Sequence, residues 1–317
     1  MIVANNEPSE RAAIRHVYVG AVQHAVGSLV ALEEVVPDVA MQTFLRRVDH
    51  GVSTVARSEH SAHELAEAAM DACLSVCSRV RGSIDAVILA SNGLDAVGSL
   101  DLEWLGALSL RLGLSRAVHY QAGMAGCAGF HWAARVAASL IASDQCDNVL
   151  VVTFDKVEGA LQRLYGEGTD FPYLTGDAAA ACLFSSSTAG MDYRLEGKVV
   201  NVWDGNQSIQ PNLDAEIRCI DELVKATCTS AGVNPGQLDM LITNNYSLTV
   251  SKLYCQLAEV SYAKAFTRNI ATHAHCFGSD NLINLQCAQQ QLIMAGHRVM
   301  LFSAGPFQWG ACVLQKL

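Results

Sequence analysis

The sequence predicts an α/β fold on three observations: helical patterns alternate with short apolar runs, the loops between them are short, and only six prolines interrupt 317 residues. With 51% of residues hydrophobic and 16% charged, the chain can bury a sizeable core, either as one large unit or as two intimately packed halves. No window reaches about 18 uninterrupted apolar residues, and residues 1–10 carry neither a basic start nor an apolar stretch. A soluble, cytoplasmic protein without a membrane span is expected. The eleven cysteines are odd in number, scattered and mostly set in apolar runs such as 180–184, as reduced buried thiols are, rather than paired in a disulfide framework. Cys73 and Cys77 stand at helical rather than metal-ligand spacing. A formal charge of −10 with no Lys/Arg cluster argues against a nucleic-acid surface.

In chain order, Ser61 followed by Glu64 is a capping box that opens a helix to about residue 80. Residues 85–90 read as a buried strand, 100–112 as a helix and 117–121 as a second strand. That strand leads through the small-residue turn Ala122-Gly123-Met124-Ala125-Gly126 into a stretch, 127–143, that is apolar nearly all round, as suits a helix in the middle of a protein. Strands follow at 148–154 and 178–184, with a less regular insertion between them. The remainder repeats the order: helix 213–231, strand 240–243, a helix from Leu248, a loop, helix 280–295, and strands 299–303 and 308–314. Two similar halves are expected, residues 1–190 and 191–317.

The chemistry concentrates at Cys127. A nucleophile between a strand and a helix gains exposure on a tight turn, the positive end of the helix dipole and backbone N–H groups for a developing oxyanion. Gly126, Ala128 and Gly129 on either side let a substrate approach closely. A buried structural thiol is the ordinary reading of a cysteine; the strand, glycine turn and apolar helix together set this one apart.

The run Ala125-Gly126-Cys127-Ala128-Gly129-Phe130 resembles the active-site elbow of ketoacyl synthase III enzymes. Asn148-Val149-Leu150-Val151-Val152 is similar to the strand after that family's nucleophile helix, and Gly176-Asp177-Ala178-Ala179-Ala180 resembles its glycine-aspartate turn. Gly305-Pro306-Phe307-Gln308-Trp309-Gly310 resembles its last glycine-rich turn. The resemblance covers about residues 80–317. It implies a thiolase fold, with two pseudo-symmetric βαβαβ halves in α-β-α-β-α layers, and Cys127 as a nucleophile that carries an acyl group as a thioester. It also implies an oxyanion hole from the backbone N–H groups of Cys127 and Gly305, and a homodimer.

Two residues depart from the family pattern. Asn244 stands where the family has a histidine and Ser279 where it has an asparagine, the pair that steadies a decarboxylating malonyl thioester. An amide at Asn244 can donate a hydrogen bond but cannot act as a base. A replacement base is expected in the loop that holds His273 and His275, with His275 reaching Cys127 and Asp280 or Ser279 orienting it. His131 lies one helical turn beyond Cys127 and is expected to pack inside; His60 and His63 are expected at the surface. No metal site is expected from His273-Ala274-His275-Cys276, and no phosphate loop from Gly166-Glu167-Gly168.

These features imply an acyltransferase that loads Cys127 from a carrier-protein or coenzyme A thioester and passes the acyl group to an oxygen, nitrogen or carrier-thiol acceptor. Divergent relatives in specialised-metabolite pathways, polyketide-like and antibiotic, are similar in this respect. Two alternatives stand beside it: a decarboxylative synthase with an unusual pocket, and a non-catalytic subunit of a heterodimer. No cofactor beyond the thioester is expected. Thr249, where the family often has an arginine, favours a carrier-protein donor, with a small molecule as acceptor.

Overall fold

Apolar runs too uniform to alternate make strands that are covered on both faces. The computed structural model of the chain describes residues 15–77, 82–92, 102–123, 125–157, 163–166, 172–206, 212–305 and 307–317. Its first half supplies β1 (Tyr18–Val26), the pair β2 (Ser28–Ala31) and β3 (Thr54–Arg57), β4 (Ala86–Ala90), β5 (Val118–Ala122), β6 (Asn148–Asp155), the pair β7 (Leu164–Tyr165) and β8 (Tyr173–Leu174), and β9 (Ala178–Ser185). The second supplies β10 (Tyr193–Trp203), β11 (Met240–Ile242), β12 (Ala265–Phe266), β13 (Arg298–Ala304) and β14 (Gln308–Lys316). Ten of these strands join in the order β12-β11-β13-β14-β10-β1-β9-β6-β4-β5.

The order repeats about the β10–β1 seam. β4 lies parallel between β5 and β6, as β11 lies parallel between β12 and β13. β9 and β1 extend antiparallel from β6, as β14 and β10 extend from β13. We propose the boundary between the halves at 190/191, between β9 and β10, on this repeat.

Alternation along the strands builds the layers. Ala86, Ile88 and Ala90 face a central core with Phe130 and Ala134, while Val87 and Leu89 face an outer core with Met70 and Leu108. Across the seam, Val299 and Leu301 join the central core, and Met300 and Phe302 pack with Leu223 and Tyr254. Helices Gly129–Ala142 and Asp280–Gln289 therefore lie between the sheet halves. Ala62–Val76 and Leu102–Leu112 cover one outer face, and Leu213–Ala231 and Leu248–Leu257 the other. The helix ends follow local chemistry: Ser61 and Glu64 form the expected capping box, and Asn212 caps the helix that Gly232 ends at φ 65°. Among the described residues, no helix is long and apolar enough to cross a membrane.

Several expectations need correction. β1 and β10, the seam strands, were not foreseen; bulges at Gly20/Gln23 and Glu196/Val200 break their alternation, with Ala21 at φ 50° and Gly197 at φ 70°. The stretch after the glycine turn is a 3-10 turn, Gly126–Ala128, followed by the α-helix. That helix is not covered all round, since Arg135, Val136 and Ser139 reach solvent. The helix from Asp280 stops at Gln289, short of 295. The expected helix ends at residues 78–80 and 100, together with Met124, Glu167, Gly168 and Pro306, lie outside the described residues.

Candidate active site

β5 delivers the chain to Gly126, whose φ of 51° makes the turn into the Gly126–Ala128 3-10 segment. Cys127, 6% exposed, sits there immediately before the helix Gly129–Ala142, at the positive end of the helix dipole. Among the described residues no carbonyl takes the Cys127 N–H, as is usual in a first helical turn, so it can meet a developing oxyanion.

The opposing loop is strapped to the end of β8. Gly176 N–H donates to the His275 carbonyl and His275 N–H to the Leu174 carbonyl, each at 2.9 Å. A side chain on Gly176 would put its Cβ 2.4 Å from the His273 carbonyl, so the strap needs glycine. Next to it, Asp177 accepts both guanidinium nitrogens of buried Arg163, at 2.9 and 2.7 Å, and the N–H groups of Ser58 and Val157. Ala274, at φ 59° and ψ −163°, and Phe277, at φ 52°, hold strained backbone on both sides of His275. Such strain persists where surroundings enforce it, and it clusters at functional sites.

His275 Nε2 lies 3.0 Å from Cys127 Sγ, and His275 Nδ1 lies 2.5 Å from Asp280 Oδ2. Asp280 also accepts from Asn245 N at 2.8 Å, Asn245 Nδ2 at 3.0 Å and Cys276 N at 2.8 Å. Both His275 and Asp280 are fully buried. Burial opposes charge on the imidazole, but the cysteine and the Asp280 carboxylate, through charge and hydrogen bonds, outweigh it and raise His275 to about 10. An imidazolium so placed is a partner for negative charge on sulfur and a donor or acceptor of the proton in acyl transfer.

The other expected site residues take different positions. Asn244 donates from Nδ2 to the Phe277 carbonyl at 3.1 Å and accepts at Oδ1 from Ala304 N at 3.0 Å. These bonds tie the histidine loop to the β13 end. Ser279 Oγ lies 2.9 Å from Thr153 Oγ1 on β6 and does not orient His275. The Gly305 N–H donates to the Gln308 carbonyl at 2.7 Å, closing the turn into β14. That bond corrects the expectation that this N–H points into an oxyanion hole. His131 Nε2 donates to the Leu301 carbonyl at 3.1 Å, and burial lowers its pKa to about 3. His273 Nδ1 pairs with Thr272 Oγ1 at 2.7 Å, away from the sulfur. His63 stacks on Trp104, 4.1 Å between centroids, and is half-buried, whereas exposed His60 lies 3.7 Å from Glu64.

Two groups escaped the sequence reading. Asn245 supplies half of the donors that hold Asp280, counting its N–H and side chain; its only signal was its place beside Asn244. Tyr246 has its ring 4.2 Å from that of His275 and donates its hydroxyl to the Ala304 carbonyl at 2.6 Å. Tyr246 and Tyr173 also line a cavity of about 230 Å³ that runs between helices Leu213–Ala231 and Leu248–Leu257 to Ala304 and Gly305. A Cβ on Gly305 would lie 3.5 Å from Cys127 N, so the cavity ends beside the sulfur's own backbone.

Known proteins resemble this chain in sequence and in fold. The sequence model of the family 3-oxoacyl-[acyl-carrier-protein (ACP)] synthase III matches residues 123–198, which contain the cysteine elbow and the glycine-aspartate turn. A beta-ketoacyl-[acyl-carrier-protein] synthase III of Chlamydia caviae is 23% identical over 227 residues, 61% of this chain and 65% of the relative's length. The chain thus matches just under two thirds of that protein. Among solved structures, ChlB3, named as an acyltransferase, superposes with a TM-score of 0.80 at 18% identity, covering 95% of this chain and 98% of that one. FabH of Pseudomonas aeruginosa, a 3-oxoacyl-(acyl carrier protein) synthase III, gives 0.77 at 18% identity over 95% and 98% of the two chains. Xanthomonas campestris OleA bound to acetamide gives 0.77 at 16% identity over 95% and 99%. The expected thiolase fold is thereby shown, and the chain is similar in sequence to ketoacyl synthase III proteins.

Proposed function

We propose that the chain is an acyltransferase that loads an acyl group on Cys127 from a carrier-protein or coenzyme A thioester and hands it to an oxygen, nitrogen or carrier-thiol acceptor. The observation that carries this reading is the buried line Cys127 Sγ, His275 and Asp280, with separations of 3.0 and 2.5 Å. In the first half-reaction the sulfur attacks the thioester carbonyl. A new C–S bond forms on Cys127, the donor's C–S bond breaks, and His275 gives its Nε2 proton to the departing thiolate. In the second, His275 takes the proton of the acceptor's O–H, N–H or S–H as that atom attacks the acyl carbon; the bond to Cys127 breaks and the proton returns to the Cys127–His275 pair. The thioester donor, the acceptor and the side chains of Cys127 and His275 supply every atom these two steps need.

Asn244 and Ser279 weigh against decarboxylative condensation, since the first has Oδ1 and one N–H bonded to backbone and the second is paired with Thr153. The name of ChlB3 supports the transfer reading over a non-catalytic subunit. Thr249 bonds the Asp49 carbonyl at 2.9 Å where the family often has an arginine, which favours a carrier protein over free coenzyme A as donor. Eleven cysteines without a disulfide fit a reducing cytoplasm. We assign the reaction to a specialised-metabolite pathway of polyketide-like or antibiotic type, acting as a homodimer.

Intact-protein mass spectrometry tests the reading, with acyl and malonyl thioesters of coenzyme A and of a carrier protein. An adduct that disappears in Cys127→Ala, without carbon dioxide release from malonyl donors, is the expected result. Carbon dioxide release coupled to carbon–carbon bond formation would instead favour a synthase, and no adduct from any donor would favour a partner subunit.

A further inference from the structure

The cavity beside Cys127 is apolar apart from a few groups, and those groups share one chemistry. Glu216, half-buried, lines it with the rings of Tyr173, Tyr246 and Tyr254. Burial raises the Glu216 carboxyl above its ordinary range, and among the described residues neither a cation nor a hydrogen-bond donor is paired with its side chain. A carboxylate on the first turns of a helix also complements the dipole. Here, however, Asn212 already caps the helix and Asp214 supplies a first-turn acid at the exposed surface. A glutamate turned outward would serve the dipole without the cost of partial burial.

A carboxylate that shares a cavity wall with three phenol rings, and has no cation paired with it among the described residues, is complementary to a ligand that brings its own. Aromatic faces add cation–π attraction to the ion pair, and an acidic ligand in the same place would be repelled. On the acyl-transfer reading above, the donor delivers its acyl group and leaves, and the emptied cavity receives the acceptor. We propose that this cavity is the acceptor subsite and selects a molecule with a protonated amine, its ammonium held between Glu216 and the tyrosine rings and its nucleophile turned towards Cys127 and His275.

The test uses acyl-Cys127 protein and three alcohols of similar length: 5-aminopentan-1-ol, hexan-1-ol and 6-hydroxyhexanoate. Discharge of the adduct is followed by intact mass, each rate normalised to the acyl-enzyme present, so that loading drops out. The amino alcohol should half-saturate at a concentration about tenfold below hexan-1-ol, with the hydroxy acid weakest, and Glu216→Gln should bring the first two together. Equal values in the wild type, or an unchanged ratio in Glu216→Gln, overturn the proposal. Should no acyl group load at all, the function reading fails separately. Calorimetry of 5-aminopentan-1-ol with the wild type and Glu216→Gln then decides the site: affinity lost with the carboxylate upholds it, and equal affinity overturns it.

Discussion

His275 is the residue on which both the proposed chemistry and part of the stability turn. Its folded pKa of about 10 lies above the ordinary 6.5, so its contribution to stability is fully present below about pH 6.5 and is lost as the pH rises through 10. The difference in unfolding free energy between the wild type and His275→Asn should therefore shrink across that window, as denaturant titrations at a series of pH values will show; a constant difference would contradict the buried charge. Asp280→Asn tests the other side of the ring. An amide cannot accept from His275 Nδ1 and from three further N–H groups at once, so a buried donor is stranded at a cost of about 1–3 kcal/mol. The imidazole also loses the acceptor that fixes its tautomer, and single-turnover deacylation should slow by about 10²-fold or more. Cys127, His275 and Asp280 were legible in the sequence because a glycine-flanked cysteine and a histidine loop ahead of a helix carry chemical patterns of their own. Asn244, Ser279 and Gly305 were not. Resemblance gives a residue its position in the chain, but the hydrogen-bond partners of Asn244 and Ser279, Phe277 and Thr153, come from distant segments that only folding brings near, and the Gly305 N–H is taken by Gln308 through the way its own turn closes.

The elements place these side chains through contacts that leave no room for adjustment. Gly176 links β8 to the His275 segment, and Gly176→Ala would force a Cβ within 2.4 Å of the His273 carbonyl. The strap must then move, so loading and transfer should both fall and stability should drop by about 1–3 kcal/mol. Gly129 provides the contrast. A Cβ there meets Ala90 Cβ at 3.7 Å, an ordinary contact in a helix, so Gly129→Ala should leave the melting temperature unchanged or raise it, the gain being about 0.5–1 kcal/mol. Thermal melts of the two variants side by side separate a required close approach from an incidental glycine. The same distinction explains what the sequence disclosed of the elements. Uniformly apolar runs such as Asn148–Asp155 and the well-capped Leu213–Ala231 helix announce themselves, since burial or capping is written into consecutive residues. β1 and β10 do not, because each bends through a bulge and carries polar residues at the seam between two halves, where pairing rather than periodicity holds the strand.

At the scale of the molecule, the two ends of the ten-stranded sheet are unequal. β12 is a two-residue strand, too short an edge to recruit another chain. β5 is five residues long, unpaired on its outer side among the described strands, and presents Val118 at 57% and Tyr120 at 38% exposure. Beside it the helix Leu102–Leu112 shares a groove with the start of the strand and exposes Leu102 at 78% and Leu110 at 75%. An apolar, open edge of this kind is a hazard for an isolated protomer, and antiparallel pairing with the same edge of a second copy removes it while closing a two-fold dimer. Sedimentation velocity should accordingly give about twice the 33.9 kDa of the chain. Lysine at both Val118 and Tyr120 places like charges across the two-fold axis and should release protomers that keep their helical circular dichroism, because neither side chain enters a core. A wild type that sediments as a monomer, or a double variant that stays paired, would move the interface away from β5.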